Sequence, residues 1–136
     1  MNVSTVPVHE RTAASGLLAR YAASLGGELS GSRMSLHIDD RYRVQLHTLP
    51  DGRIRVRARL RALPEAGPRR DELLLGVGRL CCGRMNDSAA ACVVDAEESA
   101  LWLQQVEAAA STQDVDELVG AFVNELAFWT QAVPNE

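Results

Sequence analysis

The sequence has no lysine: all fourteen basic residues among its 136 are arginine, and none lies beyond Arg84. Cysteine is scarce too. Cys81 and Cys82 are adjacent and Cys92 stands alone, so there is no CxxC pair and the count is odd. That excludes a disulfide framework and suits reduced thiols in a cytosolic protein. No apolar run approaches a membrane span, and Met1 to Arg11 lacks both a basic leader and an apolar stretch long enough for export. The expected location is the cytoplasm. Reaction signatures are missing as well: there is no GxSxG, P-loop, GxGxxG or HExxH, and no histidine or cysteine cluster at ligand spacing. The paired acids Asp39-Asp40 and Glu97-Glu98 fall in turns, where solvation accounts for them. A catalytic site, a metal and a cofactor are therefore not expected.

What is present is apolar enough to fold alone. With 46% hydrophobic content, a chain of this length can bury roughly two thirds of the surface its unfolded form exposes, as one domain. The expected boundaries are a flexible tail over residues 1–8, the domain over 9–133 and a short tail over 134–136. The net charge of −4 hides a division. Fourteen arginines against eight acids give the first 84 residues +6, while ten acids and no base give the remaining 52 a charge of −10. Such halves attract each other, within one chain or between two copies.

The pattern that organises the rest is Arg53-Ile54-Arg55-Val56-Arg57-Ala58-Arg59-Leu60-Arg61-Ala62, arginine and apolar residue in strict alternation. Period two is the signature of a half-buried strand, with one face in the core and the other a row of cations. Alternate arginines on a strand sit only ~7 Å apart, so water, salt or a carboxylate partner must offset their repulsion. The simplest account is the solvated outer face of an antiparallel sheet. Charge complementarity with the acidic second half is the alternative, and carboxylates from beyond Arg84 are expected to neutralise part of the row.

Around this strand the elements fall in order. Ala14, Leu17, Leu18, Tyr21 and Leu25 recur at helical spacing over His9–Leu25, and Gly26-Gly27 ends the helix. Met34–Asp39 and Tyr42–Thr48 alternate in phase with the arginine strand and are joined to it by Asp39-Asp40-Arg41 and Pro50-Asp51-Gly52. Three-residue loops set Ile38 opposite Tyr42 and Leu49 opposite Arg53, so the apolar sides of all three strands coincide. The same register sets Arg55 opposite His47 and Arg59 opposite Arg43. His37 and His47 share the charged face but have no acidic or thiol partner at ligand spacing, so neither reads as a metal or acid–base site.

A second helix, from about Arg69 to Met85, has acids in its first turn and arginines near its end, as the helix dipole favours. It is apolar on two sides, Leu73, Val77 and Leu80 on one and Leu74, Gly78, Cys81 and Met85 on the other with Leu75 beside them. A helix of that kind is either sandwiched or forms a subunit interface. Gly76 and Gly78 each cost about 1 kcal/mol against alanine, which close approach of another backbone would explain. Ala90–Asp95 and Ala100–Val106 read as a hairpin, with Trp102 out of phase with Leu101 and Leu103. The indole then either marks a contact surface or lies under the last helix. That helix, capped by Thr112 or Asp114, carries the stripe Val115, Leu118, Val119, Phe122, Leu126, Trp129 and Val133. The expected fold is α+β, a single twisted antiparallel sheet with three helices in the order α-β-β-β-α-β-β-α.

This order, together with Leu-Leu-Ala-Arg-Tyr-Ala-Ala-Ser-Leu-Gly-Gly in the first helix, Glu-Leu-Leu-Leu-Gly-Val-Gly-Arg-Leu in the second, Cys-Val-Val-Asp and Leu-Trp-Leu-Gln in the hairpin and Phe-Val-Asn-Glu-Leu-Ala-Phe-Trp in the last, resembles the class I type III secretion chaperones of the Tir-chaperone (CesT) type. The likeness spans about residues 9 to 133. It implies a small cytosolic homodimer, involved in virulence, that holds the N-terminal chaperone-binding segment of a secreted effector extended. Such a dimer presents the complex to the secretion apparatus, whose ATPase is a further implied partner, and itself hydrolyses no nucleotide. The resemblance puts the dimer contact on Leu74, Leu75, Gly78 and Cys81, and effector contacts on Leu49, Leu60, Leu63 and Trp102. The row Arg53, Arg55, Arg57, Arg59 and Arg61 departs from the family pattern. It leaves a nucleic-acid or other polyanion-binding module as the rival reading, opposed by the acidic balance of the chain and the lack of exposed aromatics on the strand.

Overall fold

The computed structural model describes the backbone of residues 8–25 and 29–134, with side chains from residue 16 onward within those ranges. The expected N-terminal tail up to residue 7, the side chains of His9 and Ala14, the Gly26-Gly27 stop and residues 135–136 lie outside the described residues. The elements are α1 (Val8–Leu25), β1 (Leu29–Ser30), β2 (Arg33–Ile38), β3 (Tyr42–Thr48), β4 (Ile54–Ala62), α2 (Pro68–Arg84), β5 (Ala91–Asp95), β6 (Ala100–Glu107) and α3 (Thr112–Ala132). The strands form one antiparallel sheet in the order β1-β2-β3-β4-β6-β5. The fold is α+β, with a two-residue strand β1 added at one edge.

Turn chemistry sets the register of the meander. Asp39 and Asp40 both take positive φ near 54°, Arg41 N donates to the Ile38 carbonyl, and Ile38 pairs with Tyr42. In the second turn Gly52 takes φ 89° and donates to the Leu49 carbonyl, while Leu49 N donates to Arg53 O. Only glycine adopts that φ without a steric penalty. These loops bring Leu46 opposite Val56 and His47 opposite Arg55, so the even residues of β2, β3 and β4 share one face.

That face is the core. Met34, Leu36, Val44, Leu46, Ile54, Val56 and Ala58 are buried on it, joined by Leu101 and Leu103 of β6 and covered by Leu17 and Leu18 of α1 and the stripe of α3. Tyr21 ties α1 to α3 by donating to Asp116 Oδ1 at 3.0 Å, and burial beside that carboxylate pushes its hydroxyl pKa up. The N-cap of α3 is Ser111, one residue ahead of the expected Thr112. Its hydroxyl accepts from Asp114 N at 3.1 Å, and Asp114 in turn accepts from Ala110 N at 2.9 Å. Asp114 thus contributes as the reciprocal partner of the cap, which satisfies two donors at once.

Helix α2 packs on the core through Val77, with Leu73, Leu74, Leu80 and Cys81 half-buried beside it. Its end is clamped to α3. Arg84 donates to both oxygens of Glu125 at 2.6 and 2.8 Å and lies 3.8 Å from the Phe128 ring centroid, while Trp129 Nε1 donates to the same carboxylate at 3.2 Å. The hydrogen bonds from Arg84 and Trp129 hold the Glu125 pKa below the ordinary carboxylate value, despite a partly buried site.

Candidate functional site: an arginine face and an apolar helix

The odd residues of β2, β3 and β4 build the face opposite the helices. Arg55 is flanked by His47 across the ladder and by Arg57 along its own strand, and Arg33 lies beyond His47 on β2. Arg55 Nη2 donates to His47 Nδ1 at 3.1 Å, so the imidazole is the acceptor and its proton sits on the other ring nitrogen. Burial and then Arg55, Arg33 and Arg57 lower the pKa of His47, each opposing a further positive charge. Arg57 Nε donates to Gln45 Oε1 at 3.3 Å, and its guanidinium lies 4.2 Å from the centroid of the Trp102 ring. Arg61 donates to the carbonyls of Ala62 and Pro134.

Among the described residues, no carboxylate from the second half of the chain forms the expected ion pair with the row. Among the described residues, the only carboxylate paired with the row is Asp51, which holds Arg53 at 2.8 Å from the turn just before it. Apart from Glu98, which lines a cavity near Arg59 without pairing, the described acids beyond Arg84 are occupied elsewhere or face solvent. Glu125 holds Arg84, Asp116 accepts from Tyr21, and Asp95 and Asp114 accept backbone N–H groups. Burial and the neighbouring Arg57 and Arg33 lower the pKa of Arg55, and its Nε is buried with no hydrogen-bond partner.

The expected juxtaposition of Arg59 and Arg43 is also corrected. Strands β3 and β4 pair only from Gln45↔Arg57 to Thr48↔Ile54. Towards Tyr42 and Ala62 they part, each keeping its other neighbour, and Arg59 pairs with Trp102 of β6 beside a bulge at Leu60. Opposed cations destabilise a ladder, and the divergence avoids that contact. A cavity of about 540 Å³ opens there, lined by Arg41, Arg43, Arg59, Glu98, Trp102 and Leu126 among others, Glu98 making no ion pair with the three arginines among the described residues. A second cleft, of about 220 Å³, lies between Arg33, Ser35, Gln45, His47, Arg55 and Arg57.

Of the residues expected to contact an effector, Leu49 is half-buried, and Leu60 and Leu63 are buried in the core. Trp102 is 6% exposed, on the arginine face as its phase requires, with Arg57 over its ring. With Leu126 and Thr130 of α3 it lines the cavity at the fork of β3 and β4. Of the expected dimer residues, Leu75 is 57% exposed and Gly78 exposed, while Leu74 and Cys81 lean into the core. Met85, 72% exposed, and Val94 on edge strand β5 extend the same apolar surface. An added Cβ at Gly76 or Gly78 would meet nothing within 4 Å, so packing within the protomer does not require glycine at either position.

Sequence reasoning missed one further feature. Among the described residues, β1 covers only Arg33 and Met34 of β2, and no strand pairs with Ser35–Ile38 on its outer side. Beside it lies a groove of about 680 Å³ lined by Tyr21, Leu25, Leu36, Ile38, Val119 and Val123. Leu25 and Val123, apolar residues at the margins of their helical stripes, were the available signal.

No family model and no curated relative matches the sequence. Solved structures do match its fold over nearly the whole chain. A chain of the ExsC-ExsE complex superposes with a TM-score of 0.68 at 17% identity, covering 98% of each chain. A chain of the HopA1-SchA chaperone-effector complex gives 0.65 at 14% identity, covering 92% of this chain and 99% of that one. A chain of the ExoU-SpcU heterodimeric complex from the type III secretion system of Pseudomonas aeruginosa gives 0.61 at 12% identity, covering 85% and 96%. The chain therefore has the fold found in type III secretion chaperone-effector complexes.

Proposed function

We propose that the protein is a cytoplasmic homodimeric chaperone that binds the N-terminal segment of a type III secreted effector and keeps it extended, making and breaking no bond. The observation that carries this reading is the fold, matched over most of the chain in type III secretion and chaperone-effector complexes, together with two apolar surfaces that the described residues leave uncovered. The first is the α2 surface around Leu75 and Gly78, continued by Met85 and Val94 and bordered by Leu74 and Cys81. We assign it to the second copy. Close approach of another backbone supplies the reason for Gly76 and Gly78 that the protomer itself does not.

The second surface is the Ser35–Ile38 edge, unpaired on its outer side among the described residues, with the groove beside it. An extended peptide satisfies such an edge by adding a strand, and its alternate side chains enter the neighbouring apolar groove. Leu49 is the one expected contact residue with side-chain surface to add; Leu60, Leu63 and Trp102 would act by shaping the surface beneath. The secretion ATPase remains a proposed partner of the loaded dimer. The test is affinity capture of the tagged chain from its native host, with limited proteolysis of what it holds. The reading predicts one exported protein, protected over an N-terminal stretch and cleaved elsewhere.

A further inference from the structure

Among the described residues, the arginine face has far more cations than ion-paired carboxylates. Arg33, Arg55 and Arg57 surround the cleft of about 220 Å³, and Arg41, Arg43 and Arg59 line the cavity at the fork of β3 and β4. None of the six is in an ion pair among the described residues. His47, the remaining basic group in the smaller cleft, is held as an acceptor by Arg55. Glu98 is the one carboxylate among the described residues that lines either cleft, against six arginines, so the excess of cations is unfavourable in the free protomer and an arriving carboxylate would relieve it.

We propose that this face binds an acidic, extended stretch of the cargo polypeptide, carboxylates at alternate positions entering the two clefts. The spacing fits: side chains two apart on an extended peptide repeat every ~7 Å, the same interval as the arginines of β4. Arginine suits the role, since its planar fork holds a carboxylate by two parallel N–H bonds. A single-stranded nucleic acid would gain from a free aromatic surface on which its bases stack. The only tryptophan on the face is 6% exposed, with Arg57 over its ring. The acids of a second copy fit less well, since six of the described ones beyond Arg84 already accept hydrogen bonds within their own chain. The proposal rests on the chaperone reading and specifies a partner chemistry for it.

The test uses a labelled peptide of about twelve residues alternating glutamate and serine, against a glutamine–serine counterpart and an oligothymidylate of similar length, followed by fluorescence anisotropy. The glutamate peptide should bind at least about tenfold more tightly than the glutamine peptide. Arg33→Gln with Arg55→Gln should weaken it by about as much, without lowering the thermal midpoint. A second pair, Arg43→Gln with Arg59→Gln, removes exposed side chains that make no hydrogen bond among the described residues, and should act in the same direction. Equal binding of both peptides, or wild-type binding by both double variants, overturns the proposal, and so does tighter binding of the oligothymidylate. A dimer that falls apart in these variants would give the face to the second copy instead. Capture from the host separates the two levels. A cargo held equally by wild type and both double variants refutes the arginine assignment alone, whereas acidic-peptide binding with no exported protein captured refutes the chaperone reading.

Discussion

Replacing Arg55 by methionine should stabilise the free protein, and the size of the gain should depend on salt. The nearest like charge is Arg57, two residues along the strand at ~7 Å. Coulomb's law puts that repulsion between about 0.6 and 2.4 kcal/mol for effective dielectric constants of 80 and 20. Arg33, two strands away at ~10 Å, adds about 0.4 kcal/mol in water-like surroundings. Methionine also removes the buried, unpartnered Nε, whose desolvation costs about 1–3 kcal/mol, but loses the bond to His47, worth about 1 kcal/mol. The half-exposed site argues for the lower end of each range. The net gain should be about 1–2 kcal/mol at low ionic strength. In 1 M salt the screening length shrinks to about 3 Å, and most of the Coulomb part should vanish. Urea melts of both proteins at low and at 1 M sodium chloride measure this directly, since urea adds no ions of its own. A loss of stability at low salt, or a difference that salt leaves unchanged, would refute the claim that the arginine row is unneutralised.

Gly78→Leu should leave the protomer folded, because the new side chain projects into open space and leucine is about 0.8 kcal/mol better than glycine in a helix. It should abolish the dimer, as read by light scattering; an unchanged mass would remove α2 from the interface. Phe122→Ala, at a fully buried site in α3, should cost about 3–5 kcal/mol in urea melts, most of the stability of an ordinary domain. The lowered pKa of His47 means that the unfolded chain binds the extra proton more readily than the folded one. Its contribution is therefore complete above the unfolded value near 6.5 and declines as pH falls below it, and melts between pH 7.5 and 5.5 should show a slope that His47→Gln flattens.

The parts of this fold that were legible in the sequence are those governed by local periodicity and turn length. Arg53 to Ala62 can only be a strand, and three-residue loops ending in Arg41 and Gly52 fix which residues face each other. The core stripe of α3 was equally plain. Strand order was not, because the crossover through α2 leaves open which edge receives β5 and which strand pairs with β4. The two-residue strand β1 is too short for any period to show. The cap of α3 moved by one residue because Ser111, Thr112 and Asp114 all carry capping oxygens, and only backbone geometry selects among them. Trp102 shows a different limit. Its phase placed it on the charged face, but the guanidinium laid over its ring is a contact between strands that no single-strand pattern encodes. The candidate site followed the same division: the arginines were visible as a row, while the fork between β3 and β4 and the missing counter-charge belong to tertiary structure.

The central claim is that this protein exists to hold another polypeptide. Affinity capture of the intact chain from its native host, with the captured proteins identified and mapped by limited proteolysis, tests that claim most directly. The account predicts a dimer bound to an exported protein whose N-terminal stretch alone resists cleavage. A solitary chain that retains no exported protein would contradict it.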